Sequence, residues 1–226
     1  MEPAIDVLAP AGPVRAVVLL LHGGSTEHYG RVHRLAPPYL RMVPFGLAVR
    51  RRGDGVAAWL LRHRYRGWNA PHLHPVVDAR RALARIRREH PGVPVVLVGH
   101  SMGGRTALRV ADEAGVVAVC ALAPWVEDDE PYRHLAGRSV LIAHGDRDRD
   151  TDPDGSRRYA LLAGGVSDRV ARFSVRGGGH TMLHRARDWT RLVTDFVAGE
   201  LGDGPVAPYL AAAMREPASR DMAVPL

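Results

Sequence analysis

Lysine is absent from this sequence. All 31 basic residues are arginine, set against 24 acidic ones, for a formal net charge of +7. Isoleucine is scarce, while Ala, Gly, Pro, Val and Arg dominate. That bias resembles a GC-rich coding sequence and makes part of the basicity compositional. The arginines are scattered, with Arg50-Arg51-Arg52 the densest run, and no nucleic-acid-binding motif accompanies them. They read as solvated faces rather than as a nucleic-acid interface. The single cysteine, Cys120, excludes an internal disulfide framework, and its apolar setting reads as core filling. No apolar run reaches membrane-spanning length, so no membrane partner is expected. Residues 1–15 carry Glu2 and Asp6 in place of the basic and apolar regions of a secretory signal, which makes a cytoplasmic location the expectation. No histidine pair has metal-ligand spacing with a supporting carboxylate, and neither metal nor cofactor is expected.

What is present suits one α/β domain. The chain has 226 residues, of which 46% are hydrophobic. Short apolar runs at 5–8, 15–21, 56–62, 93–98, 116–122, 139–143 and 170–175 predict strands. Helical patterns fall between them at 37–52, 74–90, 105–113 and 153–163, and a long one follows at 181–201. Such alternation implies a mostly parallel sheet covered on both faces. The domain is assigned to residues 1–201. Residues 202–226, rich in Pro, Ala and Gly without a persistent period, read as a loosely docked C-terminal tail with a short helix near 209–215.

One stretch dominates the pattern. A valine-rich run ends at Val98 and breaks into Gly99-His100-Ser101-Met102-Gly103-Gly104, after which a helix is predicted. Gly-x-Ser-x-Gly between strand and helix is the nucleophile-elbow arrangement, in which a strained turn lifts the serine hydroxyl clear of the sheet. Glycines two residues before and after Ser101 leave room for strand and helix to pass closely.

A serine hydroxyl needs a base, and the base needs a carboxylate to orient it. The chain offers them in the order Ser101, Asp148, His180, each just past a predicted strand. Among 12 histidines, His180 stands out because three glycines after the last strand can present it above the sheet. Asp148 is favoured as the acid and Asp146 is the alternative. The N–H of Met102, the residue after the serine, should form half of an oxyanion hole. The other half should come from His22-Gly23-Gly24 after the first long strand, with Gly24 favoured over Gly23. Trp68, Trp125 and Tyr29 are candidate pocket residues.

With His22-Gly23-Gly24, the elbow, His144-Gly145-x-x-Asp148 and Gly179-His180 in place, the chain resembles the α/β-hydrolase superfamily over residues 4–200. The resemblance implies an eight-stranded, mostly parallel sheet and a Ser101–Asp148–His180 triad. It differs from many members in its cap. Only 123–137 separates two strands where others insert a helical lid, which suggests an open cleft. The expected function is a serine hydrolase acting on a small-molecule carboxylic ester or thioester through an acyl-enzyme on Ser101. An accessory thioesterase or acyltransferase of a biosynthetic pathway, and a non-catalytic binding protein on the same fold, are the alternatives.

Overall fold

Alternate residues of the buried strands go to opposite faces of a single sheet. In β2 (Ala16–Leu21), Ala16, Val18 and Leu20 join one apolar cluster, and Val17, Leu19 and Leu21 join the other. In β4 (Val95–His100), Val96 and Val98 face the first cluster, Val95 and Leu97 the second. Both faces are covered, so these strands are continuous apolar runs rather than alternating ones. The computed structural model describes residues 2–216 and the backbone of Met222 and Ala223.

The remaining strands are β1 (Ala4–Leu8), β3 (Val56–Arg62), β5 (Val116–Leu122), β6 (Ser139–Gly145), β7 (Val170–Val175) and the two-residue β8 (Met222–Ala223). They form one eight-stranded sheet in the order β1-β3-β2-β4-β5-β6-β7-β8, with β1 antiparallel and every other pairing parallel. Helices α1 (Pro37–Arg52), α5 (Ala186–Leu201) and α6 (Pro208–Ala213) supply the first cluster. The second is built from α2 (His74–Glu89), α3 (Met102–Arg109) and α4 (Pro153–Gly164). From β2 the chain moves outward to β3 on one side, then returns to β4 on the other. That reversal between β2 and β4 is where open α/β sheets hold their ligands, beyond the carboxyl ends of the strands.

Two helix starts differ from the sequence reading. Helix α3 spans Met102–Arg109 rather than 105–113, because the strained turn at Ser101 feeds directly into it. Helix α5 begins at Ala186 rather than 181: Met182 (φ 57°) and Arg185 (φ 60°) are left-handed, which a continuous helix does not tolerate. The short helix expected near 209–215 is α6, and it packs against the domain. Leu210 and Ala213 are buried, and the Tyr209 hydroxyl donates to Asp195 at 2.9 Å. Beyond it, the backbone of Met222 and Ala223 pairs with Phe173 and Ser174 of β7; residues 217–221 and 224–226 lie outside the described residues.

Candidate active site

Ser101 sits between β4 and α3 with φ 57° and ψ −120°, a conformation L-residues avoid. Close packing holds it there. A Cβ on Gly99 would lie 2.1 Å from the Gly103 carbonyl oxygen, and one on Gly103 would lie 2.1 Å from that of Leu21. Only glycine allows β2, β4 and α3 to approach so closely. Ser101 N–H donates to Leu122 O at 3.0 Å, and its carbonyl accepts from Arg105 N–H and Trp125 N–H. The turn is thereby tied to both β5 and the loop after it.

The topology brings the three sequence-selected residues together. Ser101 Oγ–H donates to His180 Nε2 at 3.0 Å, and His180 Nδ1–H donates to Asp148 Oδ2 at 2.8 Å. Asp146, the alternative acid, is exposed and accepts instead from the Gly177 N–H at 2.6 Å. Asp148 Oδ1 accepts from the N–H groups of Asp150 and Thr151 at 2.9 and 3.0 Å. Burial raises the Asp148 pKa. Hydrogen bonds from His144, His180 and these two amides outweigh it and hold the carboxyl well below the usual carboxylate range. It stays ionised next to the imidazole that it orients.

Four supporting residues carry no site role in the sequence reading. His144 is buried, with Nε2–H donating to Asp148 Oδ2 at 3.1 Å and Nδ1 beside Ser156 Oγ at 2.8 Å. Its four-residue spacing from Asp148 was the available signal. Thr151 Oγ1 lies 3.0 Å from Asp148 Oδ2 and 3.1 Å from His180 Nδ1, a contact that nothing in the sequence announces. His100 Nε2–H donates to the His180 carbonyl at 2.8 Å and so holds His180 by its backbone. His22 donates from Nδ1 to Gly23 O at 2.7 Å, and its Nε2 accepts the His63 N–H at 3.1 Å. In a trans peptide the C=O and the following N–H point in opposite directions. Clamping the Gly23 carbonyl therefore aims the Gly24 N–H away from His22. Burial, chiefly, pushes the pKa of both His22 and His100 down to about 3, so both stay neutral. His63 is buried beside Asp78.

Gly24 backs onto Met102. A Cβ on Gly24 would come within 2.2 Å of Arg66 O and 2.7 Å of Met102 Sδ. The Met102 N–H opens α3 and has no intrahelical partner by position. The three candidate pocket aromatics are packed against neighbours. Trp68 and Trp125 meet edge to face at 6.0 Å, each with its ring centroid 4.4 Å from the Arg105 guanidinium carbon. Tyr29 is 52% exposed and rests on Tyr65 and His74. Ligand atoms of Asp148, Asp150 and His180 lie within 4.8 Å of one another, the sole such cluster among the described residues. Two of its three members are already joined in the relay.

Fold and site together define an α/β hydrolase. The family model of serine aminopeptidase, S33, matches residues 12–140, more than half of the chain, and the chain belongs to that family. It is 35% identical over 106 residues to a monoacylglycerol lipase of Mycolicibacterium smegmatis, covering 44% of this chain and 33% of that one. It is 40% identical over 104 residues to Lipase LipV of Mycobacterium tuberculosis, covering 45% and 33%. The matched stretch thus spans about a third of the length of these curated relatives. Among solved structures, Est1E from Butyrivibrio proteoclasticus with ferulic acid bound superposes with a TM-score of 0.68 at 14% identity, covering 88% of this chain and 96% of that one. An alpha-beta serine hydrolase homologue from Coxiella burnetii gives 0.67 at 17% identity, covering 86% and 91%. These two likenesses show the fold. No helix among the described residues is long and apolar enough to cross a membrane.

Proposed function

We propose that this chain is a serine hydrolase that cleaves small-molecule carboxylic esters or thioesters through an acyl-enzyme on Ser101. The observation that carries the reading is the unbroken relay from Ser101 Oγ through His180 to Asp148, at 3.0 and 2.8 Å. The lipase names of its relatives support an ester substrate.

In this mechanism Ser101 Oγ attacks the acyl carbon while His180 Nε2 takes its proton. The carbonyl electrons move onto oxygen, which the N–H groups of Met102 and Gly24 stabilise. Collapse breaks the bond to the leaving alcohol or thiol, which takes the proton from His180. Water then attacks the acyl-enzyme, again giving its proton to His180, and the acid leaves as Ser101 recovers a proton. Asp148 keeps Nδ1 protonated and stabilises the imidazolium throughout. The reaction as proposed calls for no metal or cofactor. A cytoplasmic setting belongs to the same proposal, and the buried free thiol of Cys120 is compatible with it.

The test is labelling with a fluorophosphonate and turnover of p-nitrophenyl acetate. Label on Ser101 and a product burst that disappears in Ser101→Ala are expected, with a loss of about 10⁶ in kcat. Label on another residue, or turnover that survives the substitution, overturns the reading. A strong preference for carrier-bound thioesters over free esters would move the assignment to an accessory thioesterase. Absence of any turnover would favour a binding protein.

A further inference from the structure

Beside the oxyanion loop lies a cavity of about 460 Å³, within the range of small-molecule sites. It opens between the loop after β2 and the first turn of α1. Gly23 and Gly24 form its inner end, and a Cβ on Gly23 would lie 3.2 Å from Ser101 Cβ. The cavity therefore shares a wall with the reacting serine. Val32, Leu35, Ala36, Pro37 and Pro38 supply apolar sides, with His28, His33 and Arg66 among the polar ones. Leu35 is 80% exposed, more than any other large hydrophobic residue described. An apolar residue so uncovered at the mouth of a cleft is suited to meet an apolar ligand.

The walls are preformed. The loop after β2 is bridged to the next strand's extension at Ser25–Gly67 and Arg31–Tyr65, and Arg66 Nε donates to Arg31 O at 3.0 Å. The other flank of the elbow is filled: Trp68, Trp125 and Arg105 pack on one another there. With only residues 123–138 between β5 and β6, no lid supplies a second apolar chamber.

We propose that this cavity binds the aliphatic chain of the substrate ester, and that Leu35 and Ala36 set the chain length preferred. The proposal rests on the reading of Ser101 as the nucleophile. The chain could belong to the acyl group or to the alcohol, and two substrate series separate them. One is p-nitrophenyl esters from acetate to octanoate; the other is alkyl acetates from methyl to octyl. In one series kcat/KM should rise about fourfold for each methylene buried until the cavity is full. Ala36→Trp, which fills a wall, and Leu35→Asp, which charges the exposed rim, should each lower the long-to-short ratio of kcat/KM by tenfold or more. The series that responds identifies the part of the ester that the cavity holds. Flat series in both arms, or a steep series that neither variant changes, overturns the proposal. If Ser101→Ala retains turnover, the catalytic reading fails instead. Binding of cis-parinaric acid to Ser101→Ala then still tests the cavity: weakening by an added Leu35→Asp supports it, and unchanged affinity refutes it.

Discussion

The two flanks of Ser101 are built from opposite materials. Toward β5, β6 and β7 the site is held by charge. Asp148 accepts from His180, His144, Thr151 and Asp150. Arg105, 3% exposed, pairs with the fully buried Glu130 at 2.5 Å and with Glu127 at 2.6 Å, while Arg109 also reaches Glu130. Toward β2 and α1 the site is made of glycine backbone and a mostly apolar wall, with His28, His33 and Arg66 as its polar points and His22 clamping one peptide. The difference follows from what each flank must do. The proposed proton relay needs side chains held at fixed heavy-atom distances, and His180 and Asp148 are each bonded more than once. The proposed oxyanion donor needs only a peptide aimed correctly and nothing in front of it, a demand that glycine suits.

The largest blow to the charged flank should be Asp148→Asn. It should lower kcat by about 10⁴, because the amide favours the wrong imidazole tautomer. Steady-state kinetics beside Asp146→Asn tests the assignment, since equal mild losses at both positions would remove Asp148 from the relay. Next comes Arg105→Met, which takes away one of the two guanidinium partners of the buried Glu130 and leaves Arg109 as the other. A destabilisation of about 2–3 kcal/mol, below that of a fully stranded buried charge, is expected by denaturant unfolding. Pairing it with Glu130→Leu should recover most of that, and failure to recover would mean that packing on the two tryptophans outweighs the ion pair. On the glycine flank, Gly24→Ala should cost roughly 10²–10³ in kcat while labelling of Ser101 slows in parallel. An unaltered kcat would show that the second donor lies elsewhere.

An effect shared by both flanks is the pH dependence of stability. His22 and His100 have folded pKa values of about 3, below the ordinary 6.5, so between these limits this pair binds two more protons in the unfolded chain than in the folded one, and His74, shifted in the same direction, adds to the difference. Stability therefore falls as pH drops from 6.5 toward 3, by about 2.7 kcal/mol per unit from this pair. Asp148, whose pKa is depressed as well, adds to the loss only below its unfolded value near 4. Thermal unfolding across pH 4–7 measures the slope, and His100→Gln should reduce it by about half. A flat profile would mean that these imidazoles are not held neutral. Smallest of all is Asp146→Asn on its own, where kcat should change less than twofold.

The elbow was legible because a close approach of three backbones demands glycine at fixed offsets around the serine. His180 was legible because a run of glycines at a strand end is rare and leads somewhere. Asp148 and Asp146 could not be separated with certainty by spacing, since both follow β6; the turn at 145–148 is what points one inward and leaves the other in solvent. Thr151 and His100 were missed as site residues because their roles come from contacts 29 and 80 positions away along the chain, while His144 meets Asp148 only four positions on, a spacing that by itself assigns no role. The aromatic candidates illustrate a related limit. Hydrophobic size suggests a pocket wall, but Trp68 and Trp125 pack on the buried guanidinium of Arg105.

By itself, then, the sequence determined the alternating α/β layers, the strained serine turn and the order of the residues around it, because periodicity and glycine placement are local constraints on the backbone. Tertiary structure decided which carboxylate meets His180, which histidines brace the peptides around it, and where an apolar cavity opens beside the serine. Those are matters of which strand ends come to lie side by side, and the reversal of strand order between β2 and β4 settles them at the level of the whole sheet.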